Sequence, residues 1–373
     1  MRILHVLNDV RQLGNGIINA AVDLACLQAQ AGLTVAVASA GGEYEALMKQ
    51  YGVQHFELDQ SRRLLNLMKA ACGFRAIVKQ FQPDIVHTHM ITGVVFASCL
   101  RWNTDYVLVS TVHNEFQRTS VLMGLADRVI AVSQAVSHSI LRWRIPPHRV
   151  YVVSNGTINS PRQRSLSTLE PMPLNHPAIT TVAGMYQRKG IAELIKAFVQ
   201  IAYTNSQVHL YLVGNGPDRA AFEQQALASP VSDRIHFEGF HPEPQRYLLA
   251  TDVFVLASHQ EPFGLVLSEA REAGCAIVAS EVDGIPEVLE GGQAGLLVPP
   301  GDVSALATAL SHLLQSPTQL QFWQQRAQQH LDWLSVDRVH QETLQVYRGA
   351  IRPGVASRPL KPFAYRSIEG NRT

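Results

Sequence analysis

The chain is short of cysteine: four in 373 residues, Cys26, Cys72, Cys99 and Cys275, with no C-x-x-C pair and no histidine cluster beside any of them. A structural zinc site and a disulfide framework are therefore unsupported. Isolated cysteines in apolar stretches read as small core residues, compatible with a reducing compartment. An excess of one charge is also missing. Lys and Arg number 31 against 30 Asp and Glu, leaving a net charge of +1. No global field draws nucleic acid or membrane, so an anionic partner must be held by a local cluster. No apolar run approaches the ~18 residues of a spanning helix. Met1–Leu7 is too short and interrupted for a secretory signal and reads as a first strand. A cytoplasmic globular protein is the expectation.

What is present is alternation. In the first half, Ile3–Leu7, Thr34–Ser39, Asp84–Thr88, Tyr106–Val112, Arg128–Val132 and Arg149–Ser154 read as strands, with helical stretches such as Ile17–Gln30 and Gln134–Arg142 between them. Strands alternating with helices imply βαβ units and a parallel sheet. Proline-rich Gly156–Pro177 breaks the pattern and reads as an interdomain linker or a mobile surface loop. The alternation then restarts, with strands at Ile179–Ala183, His209–Val213, Ile235–Glu238, Val253–Ala257, Ala276–Ala279 and Gly295–Val298. Helices are expected at Ile191–Ala202, Arg219–Leu227, Pro244–Leu249, Phe263–Glu272, Ile285–Glu290 and Val303–Gln315, and closing helices at Phe322–Leu334 and Val336–Ile351. The expected organisation is a first α/β domain over 1–156, a linker over 157–177, a second α/β domain over 178–334, a closing helix over 335–351 that returns to the first domain, and a basic tail over 352–373. Ligands of such domains bind outside the carboxyl ends of the strands, so two facing domains make a cleft there.

The most informative stretch is Ser258-His-Gln-Glu-Pro-Phe-Gly-Leu-Val-Leu-Ser-Glu-Ala270, after an apolar strand and opening a helix. Pro262 suits a first helical turn. The free amides of Phe263, Gly264 and Leu265 would then face outward as an anion site, with Gly264 allowing close approach. Glu261 would stand at the mouth and Glu269 about two turns further in, able to accept hydrogen bonds from the hydroxyl pairs of sugars or riboses. The plainer reading, that both acids are ordinary helix charges, stays open on spacing alone.

Glu-Pro-Phe-Gly-Leu-x-x-x-Glu-Ala resembles the E-x7-E signature of glycosyltransferase family 4, whose fold is GT-B: two Rossmann-like parallel-sheet domains facing a cleft. Further matches follow in family order, from Ile3 to about Tyr347. They include Asp84-Ile-Val-His-Thr-His89, Ser110-Thr-Val-His113, Ala126–Ser133, Asn155-Gly156, Lys189-Gly190, Leu212–Asp218, Phe237–Phe240, Gly284-Ile-Pro-Glu287 and Gly295–Asp302. The resemblance implies a retaining hexosyltransferase that uses a nucleotide-diphosphate sugar, with UDP the expected nucleotide, and a hydroxyl acceptor that is a glycan, a lipid-linked sugar or a small molecule. It implies a catalytic set of His113, Lys189 and Glu261. The implied donor-binding set is Gly16, Gly184, Arg188, Lys189, Gly214, Gly216, Phe263, Gly264, Leu265 and Glu269. Glu261 would bind hydroxyls of the transferred sugar and Glu269 the donor ribose. The amides of Gly264 and Leu265 would hold the diphosphate. Lys189, with Arg188 beside it, would neutralise the leaving group as its charge grows. No metal ligand set stands out, and these cations and amides would take the place of a metal. No cofactor is expected beyond the donor substrate.

The chain departs from the family in one place. Members commonly read Gly-Arg-Leu-x-x-x-Lys-Gly, whereas this chain reads Gly184-Met-Tyr-Gln-Arg-Lys-Gly190, with Met185 at the arginine position and one residue fewer. Arg188 would substitute for it. Among the histidines, the resemblance places His113 at the cleft, leaves His89 undecided and reads His87 as buried. Gly16, in Leu13-Gly-Asn-Gly-Ile-Ile18, would bring backbone amides to the diphosphate or the acceptor, or close an ordinary strand-to-helix turn. A dinucleotide site is rejected, because Asn19 stands where G-x-G-x-x-G needs its third glycine and no acid ends the second strand. Residues 61–82 carry Arg62, Arg63, Lys69, Arg75 and Lys79, no acid and interleaved apolar residues. They read as a surface helix with its apolar side in the core, or as a peripheral contact with the inner membrane face. A nucleotide-sugar epimerase and a non-catalytic sugar-nucleotide-binding regulator remain the alternatives on this fold.

Overall fold

The computed structural model describes residues 1–61, 64–101 and 104–351. The basic tail, and Arg62 and Arg63 of the basic stretch, lie outside them. The first half contributes β1 (Arg2–Val6), β2 (Thr34–Ser39), β3 (Gln54–Glu57), β4 (Ile85–Thr88), β5 (Val107–Val112), β6 (Arg128–Ala131) and β7 (Val150–Val152). They form a seven-stranded sheet in the order β3-β2-β1-β4-β5-β6-β7, every pair parallel. The second half contributes β8 (Ala178–Val182), β9 (His209–Val213), β10 (Ile235–Gly239), β11 (Val253–Leu256), β12 (Ala276–Ser280) and β13 (Leu296–Val298). They form a six-stranded parallel sheet in the order β10-β9-β8-β11-β12-β13. The order reverses beside β1 and again beside β8, which opens a crevice at the carboxyl end of each sheet. Central strands such as β4, β11 and β12 are buried along their whole length. That is the continuous burial expected when helices cover both faces of a sheet.

β3 escapes sequence reading because Gln54-His-Phe-Glu57 lies at the sheet edge and is only partly buried. The closing helix Val336–Ile351 packs on the first domain, where Tyr347 is buried among Ile3, Ile85, Val109 and Ile130. The expected helix Phe322–Leu334 is two pieces, Pro317–Ala327 and the short turn Leu331–Leu334, separated at His330 with φ 53°. The stretch 157–177 is tied to both domains. Thr157 and Ile158 donate to the Leu334 carbonyl at 2.9 and 3.1 Å. Arg162 grips Asp23 of the first domain through two bonds of 2.8 Å, and Ser160 donates to the same carboxylate at 2.7 Å. A buried charge pair needs this complete partnering, so the start of the segment is an anchored strap.

Candidate active site

Two walls face each other across the crevice. The second-domain wall centres on the loop after β11. The expected helix start moves here. The helix runs Leu265–Ala273, and Gly264 before it stands at φ 87°, a left-handed conformation that a helix cannot contain. Pro262 and Phe263 therefore precede the helix rather than open it. Glu269 is the fifth residue of Leu265–Ala273, little more than one turn in rather than two. Gly264 also has no side chain to cap the first turn, so the leading amides are left for a ligand. A Cβ at 264 would meet Leu267 Cδ1 at 3.1 Å and Leu256 Cδ2 at 3.3 Å.

Glu261 is 8% exposed and forms an ion pair with the Lys189 ammonium. The Ser258 hydroxyl donates to the same Glu261 oxygen at 3.3 Å. The Glu261 amide donates to Asp283 at 2.8 Å, and its carbonyl accepts from Gly284 N at 3.0 Å. The glutamate loop is thus braced by the turn after β12, and a Cβ on Gly284 would lie 2.2 Å from the Pro262 carbonyl. Lys189 ends a short 3-10 turn, Gln187–Lys189, just before the helix Ile191–Ala202. Its neighbour Arg188 is exposed and lies over the Tyr186 ring at 5.5 Å. Met185, where the family resemblance led to an expectation of arginine, is fully buried in the second core.

Glu269 is partly exposed and held by Gln163 of the strap at 3.0 Å and by Gln245 at 3.5 Å. Loss of water pushes its carboxyl up to about 7, against the pull of Arg162 and the Gln163 bond. Gly214 and Gly216 pack the loop after β9 against the chain at Ala183 and Met185, where any Cβ would fall within 2.0 and 2.5 Å of a carbonyl oxygen. Gly184 lies under the Tyr186 ring. The side chain of Phe263 is core, edge-on to Trp333 at 6.4 Å, which leaves only its backbone to meet a ligand.

The first-domain wall is built from the ends of β1, β4 and β5. Asn15 caps the helix Gly16–Gln30 by accepting from Ile17 N at 3.0 Å. A Cβ on Gly16 would meet Leu265 Cδ1 at 3.0 Å, so the two walls touch there. His89 and His113 line a cavity of about 170 Å³ together with Asn8, Thr111, Asn114 and Gln117. His89 Nδ1 and His113 Nε2 are 3.1 Å apart. Burial lowers His113 to about 3 and His5 to about 4, and drives His87 and His89 well below the usual imidazole range. All four are therefore neutral at pH 7. His89, undecided from sequence, joins His113 at the cavity. His87 is buried behind it.

A further link crosses the cleft. Glu287, in the short helix Ile285–Val288, accepts from Gln134 N and Ala135 N at 2.9 Å each, at the N-terminus of the first-domain helix Gln134–Leu141. Sequence reasoning placed Glu287 only in a matched motif. Ser258, Asp283, Gln163 and Gln245 carried no signal beyond their neighbourhood.

Two Rossmann-like parallel-sheet domains, an uncapped helix start beside a Lys–Glu pair and an opposing polar pocket define a GT-B architecture. The chain belongs to the group 1 glycosyltransferases of family 4. Residues 169–330 match the model for glycosyl transferases group 1, and residues 14–158 match that for Glycosyltransferase Family 4. The lipopolysaccharide core biosynthesis glycosyltransferase LpsD of Rhizobium meliloti is 34% identical over 246 residues, covering 65% of this chain and 68% of that protein. The glycogen synthase of Mycobacterium tuberculosis is 29% identical over 315 residues, 78% of this chain and 74% of its own length. Among solved structures, HepE of Anabaena in complex with UDP and glucose superposes with a TM-score of 0.77 at 20% identity, over 93% of this chain and 99% of that one. Among the described residues, no helix is long and apolar enough to cross a membrane.

Proposed function

We propose that this glycosyltransferase moves a hexosyl group, with retention at the anomeric carbon, from a UDP-type nucleotide sugar to a hydroxyl of a glycan, lipid-linked or small-molecule acceptor. The observation that carries the proposal is the pairing of Lys189 with Glu261 beside the uncapped start of Leu265–Ala273, with Glu269 on the same helix. The free amides and Lys189 suit a diphosphate, and their fixed positive charge stabilises it most as the glycosidic bond breaks. Glu261, once Lys189 turns to the phosphate, is free to accept hydrogen bonds from sugar hydroxyls. Glu269 suits the paired hydroxyls of a ribose. A UDP-type donor is supported by HepE, which shares this fold and is described in complex with UDP and glucose. Lys189, ion-paired with Glu261, takes the main cationic role in this reading, and Arg188, exposed over the Tyr186 ring, a lesser one.

Retention follows if the acceptor attacks the face from which the leaving phosphate departs. The anomeric C–O bond to the diphosphate breaks, the acceptor oxygen bonds to that carbon, and the acceptor proton passes to the departing phosphate oxygen. A membrane-borne acceptor is supported by the helix Leu64–Phe81, which exposes Met68 at 62% beside Lys69, Arg75 and Lys79. Co-sedimentation with anionic vesicles, lost on charge reversal of the three basic residues, tests that contact.

The deciding experiment incubates the protein with a panel of nucleotide sugars, with and without acceptors. Acceptor-dependent release of nucleoside diphosphate, and an α-linked product from an α-linked donor by NMR, are expected. Isomerised donor without acceptor would replace the proposal by an epimerase, and tight binding without turnover by a sugar-nucleotide sensor.

A further inference from the structure

Behind the first-domain cavity lies an unbroken file of buried polar side chains. His113 Nε2 and His89 Nδ1 are 3.1 Å apart, His89 Nε2 and His5 Nδ1 3.0 Å, and His5 Nε2 and Gln28 Oε1 2.8 Å. On its other side, Gln28 Nε2 reaches the Tyr347 hydroxyl at 3.5 Å. That hydroxyl lies 2.5 Å from His87 Nδ1, and His87 Nε2 is 2.7 Å from Thr111 Oγ1. The file begins and ends at one place, because His113 and Thr111 both line the 170 Å³ cavity.

Elementary donor and acceptor counting fixes every proton in this file once Gln28 is oriented. A neutral imidazole has one N–H and one lone pair. The Gln28 carbonyl oxygen can only accept, so His5 carries its proton on Nε2 and offers Nδ1 as acceptor. His89 must then donate from Nε2 to His5, and His113 must donate from Nε2 to His89. His113 is left with a bare Nδ1, for which no protein partner exists among the described residues. In the other direction the Gln28 amide donates to Tyr347, whose O–H donates to His87 Nδ1. His87 then donates from Nε2 to Thr111, whose own hydroxyl proton finds no protein acceptor among the described residues. Turning the one amide over would reverse every link.

We propose that Gln28 sets the direction of this chain and thereby gives the cavity one fixed acceptor, His113 Nδ1, and one fixed donor, the Thr111 hydroxyl, which together select hydroxyl groups of the transferred sugar. The identity of that ligand rests on the function proposed above; the direction of the chain does not. Gln28, His5 and His89 are positioning residues, since they act only through His113. Burial supports the scheme: His5, His87, Gln28 and Tyr347 are fully buried and His89 is 4% exposed, so the network must be satisfied internally. His5, His87 and His89 also cluster closely enough to hold a metal, with ligand atoms within 4.8 Å of one another. All six of their ring nitrogens already have hydrogen-bond partners, however, and a metal would take lone pairs that the chain uses.

The test begins with the unliganded protein labelled with 15N in histidine. Long-range proton–nitrogen correlation spectra should show His5, His87, His89 and His113 as neutral Nε2–H tautomers, unchanged from pH 5 to pH 8. An Nδ1–H tautomer at His113 or His89 would overturn the proposal, as would displacement of these signals by stoichiometric Zn2+. Gln28→Met, which removes the reference, should leave His113 exchanging between tautomers. It should also raise the donor KM about tenfold while kcat stays within about threefold. A folded Gln28→Met protein with mixed tautomers and an unaltered KM would overturn the selective role. If no nucleotide sugar is turned over, the proposed function fails while the spectra still decide the direction of the chain.

Discussion

The two walls of the cleft differ in how they treat charge. The second-domain wall gathers it in Lys189 against Glu261 and in the uncapped amides at Leu265–Ala273, although burial pushes the nearby Glu269 carboxyl up to about 7. The first-domain wall abolishes it: four imidazoles, at His5, His87, His89 and His113, are held neutral by burial. A diphosphate leaving group develops charge, whereas sugar hydroxyls do not. A site split in this way can stabilise the departing group on one side and orient the neutral sugar on the other. The two walls belong to different domains, so their alignment depends on the contacts that bridge the crevice.

The largest effect should come from the charged wall. Lys189→Ala removes the cation proposed to face the leaving group and strands Glu261. A fall in kcat of about 100-fold or more, with a smaller change in donor KM, is expected in steady-state kinetics. Unchanged kcat would break the division of labour. Gly264→Ala comes next. It places an L-residue at φ 87°, which costs about 1–2 kcal/mol and tilts the amides, so UDP binding by calorimetry should weaken about tenfold.

The pH dependence sharpens the contrast. Glu269 ionises near 7, so donor affinity should rise between about pH 6 and 8 as the carboxylate becomes an acceptor for hydroxyls. Glu269→Gln should erase that step, and no imidazole step should remain beneath it. The same shift has a stability consequence of definite sign. The folded pKa exceeds the unfolded value of about 4.3, so the favourable contribution holds below about 4.3 and is lost as pH rises through 7. The unliganded Glu269→Gln protein should therefore melt a few degrees higher than the parent at pH 8 and no higher at pH 4. Equal gains at both pH values would point to packing instead. The smallest effect concerns the bridge. Glu287→Ala removes the carboxylate from the N-terminus of Gln134–Leu141, costs about 1 kcal/mol, and should enlarge the radius of gyration in solution scattering.

Much of the scaffold was legible because it is local. β-branched runs bounded by turn residues placed the central strands to within a residue or two, and the helix Ile191–Ala202 is found where its periodicity put it. Edge strand β3 was not legible, since a sheet edge demands little burial. The start of Leu265–Ala273 was misplaced because proline at 262 signals a first turn, whereas the backbone at Gly264 overrides it. Glu261, Lys189 and Glu269 stood out through an ordered set of motifs. Gln163 did not, because a proline-rich strap gives no sign that one of its amides will reach a carboxylate 106 residues away.

By itself the sequence determined two α/β domains, their order along the chain, and which glutamates and lysine carry charge into the second one. These follow from periodicity, turn chemistry and residue type, all short-range properties. Only the tertiary structure decided that Lys189 pairs with Glu261, that Arg188 lies over the Tyr186 ring, and that His5, His87, His89 and His113 stand in one hydrogen-bonded file with Gln28 and Tyr347. The reason is physical. A proton's place on an imidazole and the ionisation of a carboxylate depend on solvent exclusion and on partners brought in from distant strands, and neither exists until the sheets have closed around them.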